Sequence, residues 1–382
     1  MSNSPEEQHV YRERQIPDMS NRYFAIGQGR ISGYLSSVLG LMSLLAVLCW
    51  RYPEQLTTRE LRMVYDPEQL RVVLMICMWA SLAFGCLTFL LNRRKRLGAI
   101  GVASTLLAFM LGGYNLPAGP VDPRAVSVGL DWLLLDFLLT GTVFVFIEKI
   151  VPKYEQQAIL RPAWQLDLFY FAINHLLIGV LLIVGNGFAP VVFGWAVNSH
   201  VQVFVSGLPL VAQLALLLLC ADLAQYCCHR AFHEIPGLWK FHAVHHSSEH
   251  MDWLAGSRSH FVEILIDRSV VMVPLYLLGP SKEALDAYVL FAAVQAVFIH
   301  ANVRVPFGPL KYVFTTPQFH HWHHSSDKPA IDTNYAVHLP IFDLLLGTFH
   351  MPDAHWPVDY GTTKPLPKTF AGQLIYPFRR EE

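Results

Sequence analysis

Charge is what this chain has least of. Only 15% of its 382 residues are Asp, Glu, Lys or Arg, while 53% are hydrophobic. Soluble domains carry about 25% charged residues, so an ordinary globular protein is excluded. The formal net charge is −1, and no basic tract is longer than Asn92–Arg96. Nothing here attracts nucleic acid. The cysteines (Cys49, Cys77, Cys86, Cys220, Cys227, Cys228) lie in or beside apolar runs with no CxxC pair. They read as small hydrophobes, not as a disulfide framework or a zinc site. Cys227 and Cys228 are adjacent, so on a helix their side chains diverge by about 100° and do not form a ligand pair. A dinucleotide fingerprint is missing too. Gly27-Gln-Gly-Arg-Ile-Ser-Gly33 is one residue too long and no strand precedes it. Residues 1–30 are polar and have no apolar core or small-residue cleavage site, so they read as an exposed N-terminal arm. No internal repeat or low-complexity tract is present.

What the chain has instead is long apolar runs. Ile31 to Trp50, Val72 to Leu91, Gly98 to Gly113 and Leu130 to Ile147 form a first block, residues 31–150, of about four membrane spans. A polar connector, Pro152 to Gln165, marks a boundary before a second region, residues 156–355, and a tail, 356–382. In this region Leu166 to Leu182 and Val201 to Leu219 read as a fifth and a sixth span. Ile264 to Leu278 and Ala287 to Ile299 form a hairpin around Gly279-Pro280, and Asp267 and Arg268 make its first helix read as partly buried in protein or re-entrant, not a plain span. The expected fold is an all-α integral membrane bundle. Arg93 to Arg96 marks the cytoplasmic side by the positive-inside rule. Counting alternate crossings from there puts every histidine cluster in one cytoplasmic, histidine-rich helical cap.

Those clusters carry the chemistry. His229 and His233 stand at i and i+4, roughly 6 Å apart along a helix axis. His242, His245 and His246, and again His320, His323 and His324, stand at i, i+3 and i+4, which reads as one shared face in each segment. Neutral imidazole is a ligand for iron, zinc and copper. Eight imidazoles exceed the roughly four ligands that one zinc takes, so a dinuclear site between helices is the economical reading. Carboxylate-bridged di-iron proteins would show Glu-x-x-His pairs, and Glu234 and Glu249 do not make them.

The three segments His229-x3-His233, His242-x2-His245-His246 and His320-x2-His323-His324 resemble the histidine boxes of the fatty acid hydroxylase/sterol desaturase superfamily of integral-membrane di-iron oxygenases. The likeness extends over about residues 160–355. The Thr316-Pro317 lead of the third box and the tail Asp332-Thr-Asn-Tyr335, Asp343 and Gly347-Thr-Phe349 are similar to bacterial members and to alkylglycerol monooxygenases. The resemblance implies two iron ions, O2 as co-substrate and a lipid substrate (sterol, fatty acyl, ether lipid or carotenoid) that is hydroxylated or desaturated. It also implies a ninth ligand, His300. Asp222, His260, Glu263, Asn334 and Asp343 are expected to support the ligands, with Asp222 orienting a histidine on a neighbouring helix and His260 accepting from a ligating imidazole. Phe261 stands where the family's Arg-x-His-Pro-x-Glu stretch has proline. His250, His321, His338, His350 and His355 read as bystanders. His175 reads as a buried, hydrogen-bonded histidine, although ionisable groups in spans, Asp131 and Asp136 included, are often functional.

With no cysteine iron–sulfur motif and no dinucleotide site, electrons must come from a separate donor, and the resemblance implies a reductase with a b-type cytochrome, a ferredoxin or a rubredoxin. Loop 92–96 is its candidate landing site. In a bacterial cell the membrane would be the inner one. Two other readings compete. A metal-handling transporter would place its histidines at mid-membrane depth. A zinc hydrolase would use His246-Ser-Ser-Glu249-His250, an H-x-x-E-H motif with Glu249 as base.

Overall fold

The computed structural model describes residues 31–62, 66–117, 129–352 and 355–379. The expected N-terminal arm lies outside them. The described residues are helical, with two isolated β-bridges and no strand.

Helices α1 (Ile31–Arg51), α2 (Pro67–Leu91) and α3 (Arg96–Met110) pack through small residues. Ser36, Gly40 and Ser43 of α1, Ser81 and Gly85 of α2, and Gly101 and Thr105 of α3 are buried, while Val72, Ile76, Trp79 and Leu90 face outward. Lipid tails are as apolar as leucine, so helices associate where backbones approach closely and hydroxyls bond across. Ser36 Oγ donates to the Ser81 carbonyl (2.9 Å) and Ser81 Oγ donates to the Ser36 carbonyl (2.8 Å). A Cβ at Gly101 would overlap the Ser36 carbonyl. Gly101→Val is therefore expected to push α1 from α3 and destabilise by about 1–3 kcal/mol, read as a lower unfolding temperature in detergent.

Helix α4 (Leu130–Ile150) returns the chain to the histidine region. Its Glu148 Oε1 accepts the Trp253 and Asn302 N–H groups, and Phe144 joins Phe171, Trp253, Leu254, Ala301 and Val303 in one core. Asp131 has a structural role: it holds the Thr58 N–H and hydroxyl. Asp136 meets His175 Nε2 at 2.7 Å, and His175 Nδ1 bonds the Phe171 carbonyl.

The next two expected spans take a different form. Leu166 to Leu182 is broken into α5 (Trp164–Leu176) and α6 (Ile178–Phe193). The segment Gly187–Ala196, which contains Pro190, then bends by 116° into α7 (Ser199–Ser206). Pro209 separates α7 from α8 (Leu210–Glu234), so Val201 to Leu219 is not one span. From Leu210 onward no glycine or proline interrupts the helix, and it runs on to carry the first histidine pair at its end. Helix α9 (Pro236–His246) follows directly. The hairpin of α10 (Phe261–Leu278) and α11 (Lys282–His300) turns at Gly279, whose φ of +58° suits glycine, and is restarted by the Ser281 cap. Asp267 of α10 is hydrogen-bonded by Gln225 of α8 (2.6 Å), inside protein as expected. Short helices α12 (Pro317–His323), α13 (Ile341–Leu346) and α14 (Phe370–Ile375) complete the described chain. Among the described residues, six helices are long and apolar enough to span a membrane: α1 to α4, α8 and α11.

Candidate metal centre

Nine imidazoles converge at the ends of α8, α9, α11 and α12. They fall into two groups, His229, His233, His242, His246 and His323, and His245, His300, His320 and His324, with the ligand atoms of each group within 4.8 Å of one another. The nine residues are those expected from the sequence, but the sharing differs. His245 does not stay with His242, nor His323 with His320. On a helix, i+4 falls about 40° from i, whereas i+3 and i+4 are 100° apart. The i, i+4 pairs His242/His246 and His320/His324 each keep one group, and the i+3 member turns to the other. Helices α9 and α12 thus straddle both groups, and the rings of His246 and His324 stack at 4.4 Å across them.

The hydrogen bonds decide where the lone pairs point. His229 Nδ1 donates to the Tyr335 carbonyl (2.7 Å), His323 Nδ1 to the Thr333 carbonyl (2.8 Å), and His242 Nδ1 to Glu263 Oε1 (2.7 Å). In the second group His245 Nδ1 donates to the Arg258 carbonyl (3.0 Å) and His300 Nδ1 to the Ala296 carbonyl (2.7 Å). Each of these rings carries its proton on Nδ1, so Nε2 is a bare lone pair. Yet the Nε2 atoms of these rings face one another, His229 to His242 at 3.0 Å and His245 to His300 at 3.2 Å. Lone pairs at such distances repel unless a cation lies between them. The buried Nε2 of His233 and Nδ1 of His320 and His324 have no hydrogen-bond partner. The donor set and its geometry fit two metal ions bound by imidazole.

Burial favours the form that binds metal. His242, His245, His246, His320, His323 and His324 are all held well below the ordinary histidine range, first by desolvation and then by neighbouring imidazoles. The sign follows. Above about pH 6.5 folded and unfolded chains are both neutral at these sites, and below it only the unfolded chain takes up protons. Stability present above that value is lost as pH falls. Chelator-treated protein is expected to unfold at progressively lower temperature from pH 7 to 5.5, and metal-loaded protein to start from a higher unfolding temperature and fall in parallel. An identical, flat profile for both would contradict it.

The supporting residues divide. Glu263 holds a ligand directly. Asn334 ties the Phe319 and His350 carbonyls through Nδ2, and accepts the His350 N–H. Asp343 accepts the Tyr335 and Ala336 N–H groups (2.8 and 2.9 Å) and so fixes the carbonyl that holds His229. Asp222 does not orient a histidine. Its carboxylate accepts the Val337, His338 and Leu339 N–H groups. His260 does not meet a ligand either: its Nδ1 caps α10 at Val262 and its Nε2 meets the Leu374 carbonyl. His250, Glu249 and both adjacent cysteines lie outside the two groups. Using His246 in a zinc-hydrolase motif would take it from four imidazole neighbours.

Two features escaped the sequence reading. His321 is fully buried: its Nε2 faces the His300 and Ala301 carbonyls, and its Nδ1 meets Tyr360 Oη (2.9 Å). Beneath the cap, Arg161 forks onto Asp252 (2.9 and 2.7 Å) and lies 2.6 Å from Asp167, which also takes Arg258 Nε. The Arg258 carbonyl is the one that holds His245. The sequence signal was weak, since these four charges are scattered over the polar connector, the first turn of α5 and the loop between α9 and α10.

The family model for fatty acid hydroxylase matches residues 214–348, inside the stretch whose boxes carried the resemblance. An ornithine lipid hydroxylase of Rhizobium tropici is 32% identical over 259 residues, 66% of this chain and 77% of that protein. Human alkylglycerol monooxygenase is 34% identical over 145 residues, 38% of this chain and 32% of that protein. A methylsterol monooxygenase of Arabidopsis thaliana is 28% identical over 156 residues, 37% of this chain and 50% of that protein. The chain therefore spans about a third of the alkylglycerol monooxygenase length. No solved structure gives a significant match. With this similarity, its all-helical fold and its paired histidine groups, the chain belongs to the fatty acid hydroxylase family of lipid-acting membrane oxidoreductases.

Proposed function

We propose that the two groups hold iron and that the protein hydroxylates a C–H bond of a membrane lipid with O2 and electrons from a separate carrier. The observation that carries this is the convergence of protonless Nε2 atoms from four helices into two adjacent groups. When bound, the two ions supply reductive activation of O2 and the oxidising power to break an unactivated C–H bond. This chain's residues do the rest. Backbone carbonyls and Glu263 fix the tautomers of His229, His242, His245, His300 and His323, the nine imidazoles would hold the ions, and the buried setting excludes water. One oxygen atom of O2 enters the lipid as a hydroxyl and the other leaves as water, with two electrons and two protons supplied from outside.

The donor is a protein carrier of the b-type cytochrome, ferredoxin or rubredoxin class. Helix α3 leaves the exposed Arg93–Arg96 side and α4 returns to the cap, which supports placing both on the cytoplasmic face of, in a bacterium, the inner membrane. Ornithine lipid, named for the Rhizobium tropici relative, is the first substrate to test. Membranes containing the protein, incubated with candidate lipid, reductant and 18O2, are expected to yield lipid carrying one 18O atom by mass spectrometry. Label from water instead, or a product that has lost hydrogen without gaining oxygen, would overturn hydroxylation.

A further inference from the structure

We infer that residues 337–346, which no box contains, form a re-entrant element inserted into the bilayer, with its apolar side chains against lipid acyl chains. Depth is the first observation. Asp222, which holds the Val337, His338 and Leu339 N–H groups, lies twelve residues before the cap end of α8 at Glu234. The His338 ring rests on Tyr288 and Phe291 of α11, twelve and nine residues before its cap end at His300. Two independent spans therefore put this segment ~14–18 Å below the helix ends that carry the histidines.

The second observation is the hydrogen bonding. Irregular backbone at membrane depth is tolerated only where its polar groups are satisfied. Five consecutive N–H groups, Tyr335 to Leu339, are all taken by two buried carboxylates, Asp343 for the first two and Asp222 for the next three. A loop in water needs no such device.

The third is exposure. Ile341, Leu344, Leu345 and Leu346 point out of the protein, Leu345 with 73% of its surface exposed. They continue the outward apolar surface of α8, where Leu219 and Leu223 are also exposed, and Phe342 packs back onto Tyr226 of that helix. The occupant that fits this surface is the hydrocarbon already covering α8. Because Tyr335, whose carbonyl fixes His229, lies two residues before this segment, the bilayer reaches the first histidine group through one short stretch of chain. This inference needs neither metal nor turnover.

The test places bimane on Leu345→Cys, and separately on Leu344→Cys, in full-length protein in nanodiscs, with exposed Cys86 and Cys227 replaced by serine. Leu219→Cys serves as the lipid reference and Glu249→Cys, on the exposed cap, as the water reference. Quenching by doxyl-labelled lipid equal to position 219, with iodide quenching several-fold weaker than at 249, is the expected result. Iodide quenching equal to 249 would put the element in water. Protection from both quenchers would mean a second copy covers it. Either outcome overturns the inference.

Discussion

Arg161→Ala is expected to destabilise the protein by about 3–5 kcal/mol, the cost of breaking a buried ion pair by removing one partner. The side chain is 1% exposed and serves two carboxylates, Asp252 by a fork and Asp167 by a single contact. Without it both remain buried with too little positive charge, and Arg258 alone must neutralise Asp167. Asp252 also accepts the Leu254 and Ala255 N–H groups, so the turn that leads toward Arg258 loosens with it. Arg161→Lys keeps the charge but not the planar fork, so it should recover only part of the loss. Thermal unfolding in detergent measures both. A loss under about 1 kcal/mol for the alanine variant would mean that the network is solvated and incidental.

The second large effect concerns the first histidine group. His242→Ala removes a ligand and is expected to abolish turnover. Glu263→Ala leaves all nine imidazoles but frees the His242 tautomer, and is expected to weaken metal binding at that group about 10–100-fold. The second group should not change, because His245 and His300 donate through Nδ1 to the Arg258 and Ala296 carbonyls and none of its four rings meets Glu263. Chelator titration followed by metal analysis separates the two: Glu263→Ala should release one ion early and one late. Release of both together at the wild-type concentration would contradict the assignment.

The histidines were legible because spacing on a helix is a local property. His229/His233, His242/His246 and His320/His324 each announce a common direction in the sequence alone. What spacing does not carry is which group a third residue joins, and His245 and His323 crossed to the other one because 100° separates them from their neighbours. Apolar runs located α1 to α4, but hydropathy alone does not register that Pro190 and Pro209 break the middle of the chain, or that α8 continues past its apolar stretch to the first histidine pair. Asp222, two turns before His229 on its helix, was expected to orient a histidine on a neighbouring helix. Its real partners are backbone N–H groups more than a hundred residues away, which leave no side-chain pattern to read. His321 was hidden by its neighbours: among four histidines in five residues, nothing marks the one that binds carbonyls instead of metal.

The most direct test of the two-metal reading is iron per chain in protein purified in mild detergent, beside His245→Ala and His323→Ala. About two irons in the wild type and about one in each variant is the predicted result, since the two residues serve different groups. One ion per chain, unchanged by loss of His323, would contradict it.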